Sequence, residues 1–329
     1  MPWSLPLSPR RCPSGRPGTS SVATIGTTIR GLTPRYRRAQ REARMLYRAW
    51  NDIPMPPELV HPLWEDARLG FAEIVRDGVP ADFLSHQLVR HMLYRTGFGE
   101  LEQIQLDYLQ AAEPELERQC LAYREPRLGG SLRDSRPPVS GSVSSLNKLY
   151  YFARVAEKIP LESVRTVVDF GGGYGLMCHV FQELLTPRPT VVIIDLPELL
   201  ALQYTYLRAA SAAPVVGHTS LPIELQQGAA NLVPVQLLAE SELTCDLFLS
   251  TFALSETPLA LQRLVAESGF LGAESLYVVG QDTASALWEQ YEFSEMRVVV
   301  ETARRCYADV VLEPFPAVSA WELTATNPL

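Results

Sequence analysis

The stretch Val167-Val168-Asp169-Phe170-Gly171-Gly172-Gly173-Tyr174-Gly175 decides how the rest of the chain folds. A β-branched run ends in an acid, passes through four glycines in five positions, and opens a segment of helical character. This order predicts a buried strand, a tight turn and a helix starting at about Tyr174. Glycine suits such a turn because a ligand reaches backbone only where no Cβ intrudes, and positive φ is cheap for glycine alone. The helix start then offers free N–H groups and a partial positive charge to an anionic ligand group. Working outward, further apolar runs fall at 164–170, 190–195, 232–237, 246–251 and 275–280, each followed by a helical or loop stretch. Continuous Val/Ile/Leu runs mean strands covered on both faces. The segments 309–313 and 320–326 read as a terminal hairpin on the same sheet. The expected fold is α/β: a doubly wound, mostly parallel, seven-stranded Rossmann-like sheet preceded by a helical N-terminal region.

Two nucleotide cofactors use a glycine turn of this kind. A dinucleotide site calls for GxGxxG, its third glycine allowing close helix packing; here that position is Leu176. Asp169, just before the first glycine, would repel a pyrophosphate but suits a ligand carrying an ammonium and a sulfonium, which is S-adenosylmethionine (SAM). Asp195 ends the next strand, 26 residues on, where a carboxylate can take both ribose hydroxyls, with Leu196 beside it. Gln236 follows the third strand, at a position suited to the adenine edge. Thr251 and Phe252 lie past the fourth strand, over the switch point where open α/β sheets bind ligands. The expected cofactor residues are therefore Asp169, Gly171, Gly172, Gly173, Tyr174, Gly175, Asp195, Leu196, Gln236 and Thr251. As helix caps alone, Asp169 and Asp195 would have a purely structural role.

The stretches SSLNKLYYF (144–152), VVDFGGGYG (167–175), IIDLPELLALQ (193–203) and DLFLSTFALSE (246–256) resemble class I SAM-dependent methyltransferases, and among them the sugar O-methyltransferase family. The resemblance covers about 140–285. It departs at Asp169, where related proteins often carry Glu. It implies transfer of a methyl group from SAM to a hydroxyl of a sugar or sugar-like small molecule, by in-line displacement, with the protein aligning the reactants and helping the hydroxyl lose its proton. Glu256 is the first candidate base and Asp282 the second, although Glu256 also sits where an acid stabilises the start of a helix. The alternatives are methylation of a non-sugar secondary metabolite, a catalytically silent SAM-binding subunit, and an NAD-linked dehydrogenase.

Upstream, Tyr36, Ala39, Ala43, Leu46, Tyr47 and Trp50 form one helical stripe. Leu84, Leu88 and Met92 form a second, with Gly97 as its C-cap, and Leu101, Ile104, Tyr108 and Ala112 a third. Residues 126–143 are rich in Gly, Pro and Ser and read as a linker, with Ser144 or Ser145 capping the helix that follows. The expected division is a tail at 1–34, a helical region at 35–140 serving as a lid or a dimer contact, and a SAM-binding domain at 141–329. The tail, Arg- and Ser-rich and almost free of acids, reads as disordered and also resembles an organelle transit peptide.

Net charge is −8 over 329 residues, yet residues 1–44 hold nine Arg against the single acid Glu42. The body is thus strongly acidic, which argues against a nucleic-acid surface. No apolar run reaches the ~18 residues of a membrane span. Cys12, Cys120, Cys178, Cys245 and Cys306 are odd in number and widely spaced, pointing to a reducing cytoplasm rather than a disulfide framework. Neither these nor the histidines show metal-ligand spacing, and no metal is expected. His179 is expected to pack or touch solvent, and Tyr150 and Tyr151 to pack between the helical region and the sheet.

Overall fold

Each central strand sends alternate residues into two different apolar cores. Strand β1 (Thr166–Phe170) puts Val167 on one face and Val168 on the other; β2 (Thr190–Asp195) divides Val191 and Ile193 from Val192 and Ile194. Strand β5 (Leu247–Thr251) divides Leu247 and Leu249 from Phe248, and β6 (Ser275–Gln281) divides Tyr277 and Val279 from Leu276 and Val278. Period-two alternation between two apolar faces requires a helical layer on each side, since a buried branched side chain contributes about 1.5–3 kcal/mol only if covered. The computed structural model describes residues 33–94, 97–131, 133–134, 141–283, 296–316 and 318–329. Most of the expected tail lies outside these residues; Pro34 already opens the first helix and Thr33 caps it, Thr33 Oγ1 accepting from the Tyr36 N–H.

The remaining strands are β3 (Val215–Gly217), β4 (Ala230–Pro234), β7 (Tyr307–Pro314) and β8 (Ala320–Pro328). They assemble in the order β3-β4-β2-β1-β5-β6-β8-β7. Strands β1 to β6 run parallel, while β8 is antiparallel to both β6 and β7, forming the expected terminal hairpin. The sheet has eight strands rather than the expected seven. The extra one, β3, is a three-residue edge strand too short to stand out in sequence. Because the chain proceeds from β1 outward through β2 to the edge at β3, fills in β4 and then returns to the other side of β1, the switch point lies between β1 and β5, where open α/β sheets hold ligands.

One face is covered by α6 (Val143–Lys158), α7 (Leu176–Leu184) and α8 (Pro197–Ala210), the other by α9 (Leu259–Glu267) and α10 (Arg297–Cys306). Ser142, not Ser144 or Ser145, caps α6, its hydroxyl accepting from the Ser145 N–H. The N-terminal helices α1 (Pro34–Asn51), α2 (Pro62–Arg76), α3 (Gln87–Met92), α4 (Glu100–Ala111) and α5 (Pro114–Ala122) pack onto the α6–α8 face and share its core, in which Trp50, Phe71 and Phe83 meet Tyr150, Phe152 and Phe181. The stripe from Tyr36 to Trp50 is α1, as expected. Leu84 lies in a separate short turn before α3, which ends at Met92, so Gly97 is too distant to be its C-cap. The interior of α2 carries Gly70, where a Cβ would come 2.7 Å from Leu88 Cδ2. The run expected at 232–237 is strand only to Pro234, then a 3₁₀ turn over Val235–Glu240. Among the described residues no helix is long and apolar enough to cross a membrane.

Candidate functional site

Strand β1 delivers Asp169 and Phe170 to the carboxyl edge of the sheet, and the chain leaves by the glycine turn, with Gly171 N–H donating to Ile194 O at 2.9 Å. Gly171 has φ +75°, and a Cβ there would overlap that of Ala253, so only glycine fits. The helix opens at Leu176 rather than Tyr174, with Gly175 as N-cap at φ +96°. Above Gly173 a Cβ would meet nothing within 4 Å, so the turn is open to a ligand there.

Asp169 is 2 % exposed and its Oδ2 has no hydrogen-bond partner among the described residues. Burial pushes its pKa up to about 6, and the positive charge of Lys148 pulls the other way. A Cβ on Gly172 would lie 3.0 Å from that same Oδ2, so the carboxylate is tucked directly beneath the turn. Across the β1–β2 ladder, Asp195 Oδ1 accepts from Leu196 N–H (2.8 Å) and Oδ2 from Gln203 Nε2 (2.7 Å). Gln203 also donates to Gly173 O at 2.9 Å, tying α8 to the turn. Burial pushes Asp195 up to about 7, the Asp169 charge adding to the effect while those two donors oppose it.

Gln236 follows β4 in its 3₁₀ turn. Its Nε2 donates to Trp50 O (3.4 Å), while its buried Oε1 has no partner among the described residues. Tyr174 is buried against Phe83, Tyr94 and Tyr206, and packs the turn against the N-terminal helices rather than facing the open side at Gly173. His179 also packs, 4 % exposed and 2.8 Å from the Tyr123 hydroxyl; burial pulls its pKa down to about 4.

At the end of β5, Thr251 Oγ1 accepts from Lys148 Nζ at 3.5 Å. Phe252 adopts φ +72°, strained for a side chain of its size, and its N–H donates to Val279 O at 2.7 Å. Glu256 is partly buried, accepts from Gln281 Nε2 (2.7 Å) and is also hydrogen-bonded by Trp64; burial pushes it up to about 7, and both hydrogen bonds oppose this. Asp282, just beyond β6, is exposed, with its N–H donating to Ser319 O at 3.0 Å. The structure thus brings Asp169, the four glycines, Asp195, Leu196 and Gln236 to the ends of neighbouring strands, and leaves Asp282 at the surface.

Two features of this region are not evident in the motifs. The segment from Trp50 to Arg68 crosses the carboxyl ends of the strands. Trp50 Nε1 donates to His218 O (2.7 Å), Ile53 and Met55 pack on the core of the α9 side, Trp64 reaches Glu256 after β5, and Arg68 makes a two-pronged pair with Glu198 after β2, both bonds 3.1 Å. The second feature is Lys148 on α6, which lies inside the family-like stretch SSLNKLYYF and is one of only two lysines beside 27 arginines. Among the described residues no group of three or more His, Cys, Asp or Glu could hold a metal ion.

Among solved structures, the chain is similar to human N-acetylserotonin methyltransferase in complex with SAM, at 14% identity and a TM-score of 0.38, over 80% of this chain and 68% of that one. It is similar to the mitomycin 7-O-methyltransferase MmcR at 12% identity and a TM-score of 0.37, over 56% of this chain and 57% of that one. It is also similar to the O-methyltransferase NcsB1 from neocarzinostatin biosynthesis, in complex with SAM and 2-hydroxy-5-methyl naphthoic acid, at 14% identity and a TM-score of 0.36, over 56% of this chain and 57% of that one. These likenesses are low, and they assign no role to any residue. No family model and no curated protein matches the chain.

Proposed function

We propose that the chain is a SAM-dependent O-methyltransferase acting on a hydroxyl of a small molecule. The observation that carries this reading is the buried, unpartnered carboxylate oxygen of Asp169 beneath a glycine turn that is open at Gly173. A buried polar atom without a partner needs an explanation, and a cationic ligand group supplies one. A diphosphate in the same place would put like charges together. The donor set fits SAM throughout: Asp169 and the turn for the amino-acid end, Asp195 for the ribose, and the free Gln236 Oε1 for a donor on the adenine.

When bound, SAM supplies a methyl group on a cationic sulfur. The chain's own part is to hold the donor, exclude water and align the acceptor oxygen. The strap from Trp50 to Arg68 supports a lid role for the N-terminal helices, since it touches residues two to five positions beyond the ends of β2, β4 and β5. Glu256 is the better candidate base: a carboxylate pushed up to about 7 is poised to accept a proton near neutral pH. A sugar or sugar-like acceptor rests on the resemblance of the motifs. A non-sugar metabolite is favoured by the half-buried ring of Phe252 directly after Thr251.

Calorimetry with SAM, S-adenosylhomocysteine and NAD, followed by methyl transfer from labelled SAM to a panel of hydroxyl compounds, tests the proposal. Binding of the two sulfur nucleotides with turnover is the expected result. Binding without turnover would make the chain a silent subunit, and binding of NAD alone would overturn the reading.

A further inference from the structure

Lys148 projects from the first half of α6 into the region where the carboxyl ends of β1 and β5 meet. Its Nζ donates to Thr251 Oγ1 at 3.5 Å and lies 5.3 Å from the centroid of the Tyr151 ring. Its charge is felt at Asp169 under the glycine turn. It therefore stands between the acid proposed to face the cofactor and the residue that opens the acceptor side. Of the rings nearby, Phe252 is half-buried and meets the edge of Phe315 at 6.1 Å, while Tyr151 and Phe315, stacked with centroids 5.8 Å apart, belong to the buried core. Phe252 is held at φ +72° directly after Thr251, and strain of about 1–3 kcal/mol in a non-glycine residue persists where the surroundings impose it, often at a functional site.

An ammonium at the end of the strands selects among hydroxyls. A sugar hydroxyl stays neutral near pH 7 and gains little from a cation. A phenol or enol attached to a planar ring is acidic, and an opposite charge within about 4–6 Å favours its anion by one or more pKa units. We propose that Lys148 is the specificity residue of the acceptor site, and that the acceptor carries an acidic phenolic or enolic hydroxyl held as its oxyanion against the ammonium. This rests on the methyltransferase reading above and names its substrate class. The hydroxyl proton goes to water on ionisation. A lone pair of the oxyanion then forms the new C–O bond while the C–S bond breaks, its electron pair staying on sulfur, so the sulfonium charge and the oxyanion charge vanish together. Lys148 keeps all its protons throughout.

The test uses 4-nitrophenol, whose anion is yellow, with the protein saturated with S-adenosylhomocysteine, at the pH where the free phenol is half ionised. The native protein is expected to raise the bound anion-to-phenol ratio at least about tenfold. Lys148→Met should abolish that rise and Lys148→Arg should keep part of it, both with S-adenosylhomocysteine affinity within about threefold of native. Loss of cofactor affinity in Lys148→Met, with the colour shift intact at saturation, would assign the ammonium to the cofactor carboxylate and overturn the proposal. A native protein that binds S-adenosylhomocysteine but leaves the phenol's ionisation unchanged would overturn it too, whether or not the variants fold. A native protein that does not bind S-adenosylhomocysteine at all defeats the methyltransferase reading instead.

Discussion

At one end of the crevice, the residues from Asp169 to Gly175 come from a single continuous stretch, and Asp195 joins them through one step of the parallel ladder. At the other end, Lys148 comes from α6, Thr251 from the end of β5, Phe252 and Glu256 from the segment after it, and Trp64 from α2. The first end is a local device made by backbone rules. The second is a tertiary one, brought together by strands and helices far apart in sequence. The turn end is therefore written in one short stretch of sequence, while the far end depends on every loop and helix that reaches it.

If the glycine turn is as tight as its geometry implies, Gly171→Ala should be the most damaging single change. A methyl group there meets Ala253 Cβ and sits at a φ of +75°, so a loss of about 2–5 kcal/mol is expected in urea unfolding, with no detectable binding of S-adenosylhomocysteine. An unfolding midpoint equal to that of the native protein would show that the turn has room the structure does not display.

Asp195→Asn should pull stability and binding in opposite directions. Its carboxylate, about 4 when unfolded and raised to about 7 by burial, binds more protons in the folded than in the unfolded protein across that range. The native protein therefore loses stability as pH rises from about 4 to about 7, and the asparagine variant escapes this loss. Thermal melting should show the variant gaining on the native protein as pH rises through that window, while its affinity for S-adenosylhomocysteine falls roughly 10–100-fold through loss of a charged acceptor. His179 changes stability with the opposite sign between about 6.5 and 4, because its folded pKa is depressed, but it is common to both proteins and cancels in the difference.

Glu256→Gln addresses the far end. With a neutral alcohol as acceptor it should lower kcat by about 10²–10⁴, the usual worth of a general base. With an acidic phenol the loss should be much smaller, because the oxygen arrives already ionised. Equal losses on both acceptors would separate the role of Glu256 from that of Lys148 and count against the latter.

The contrast also explains what the chain discloses before folding. Strand ends, the glycine turn and both carboxylates were legible because each depends on neighbours within a few residues. Strand β3 was not, since three residues carry no period, and α2 was obscured by Gly70, tolerated only because Leu88 fills the space against it. The cap of α6 fell two or three residues earlier than expected because three of the first four candidate positions are serine, and only the N–H geometry at Ser145 singles out Ser142. Lys148 was visible as a letter in a family-like stretch, but nothing in that stretch says that α6 points it at the end of β5. Trp64 gave no sign at all, since its partner lies almost two hundred residues away.

Trp64→Phe should have the smallest effect and couples the two ends most directly. The ring fills nearly the same space, so stability should change by no more than about 1 kcal/mol, the worth of one hydrogen bond. The lost N–H had been favouring the ionised form of Glu256, so its pKa should rise above about 7. For a neutral acceptor the acid limb of the pH dependence of kcat should then move to higher pH, whereas S-adenosylhomocysteine affinity stays at the native level. A limb that stays in place would mean that the strap crossing the strand ends covers the site without tuning its base, leaving the helical region the role of a lid alone.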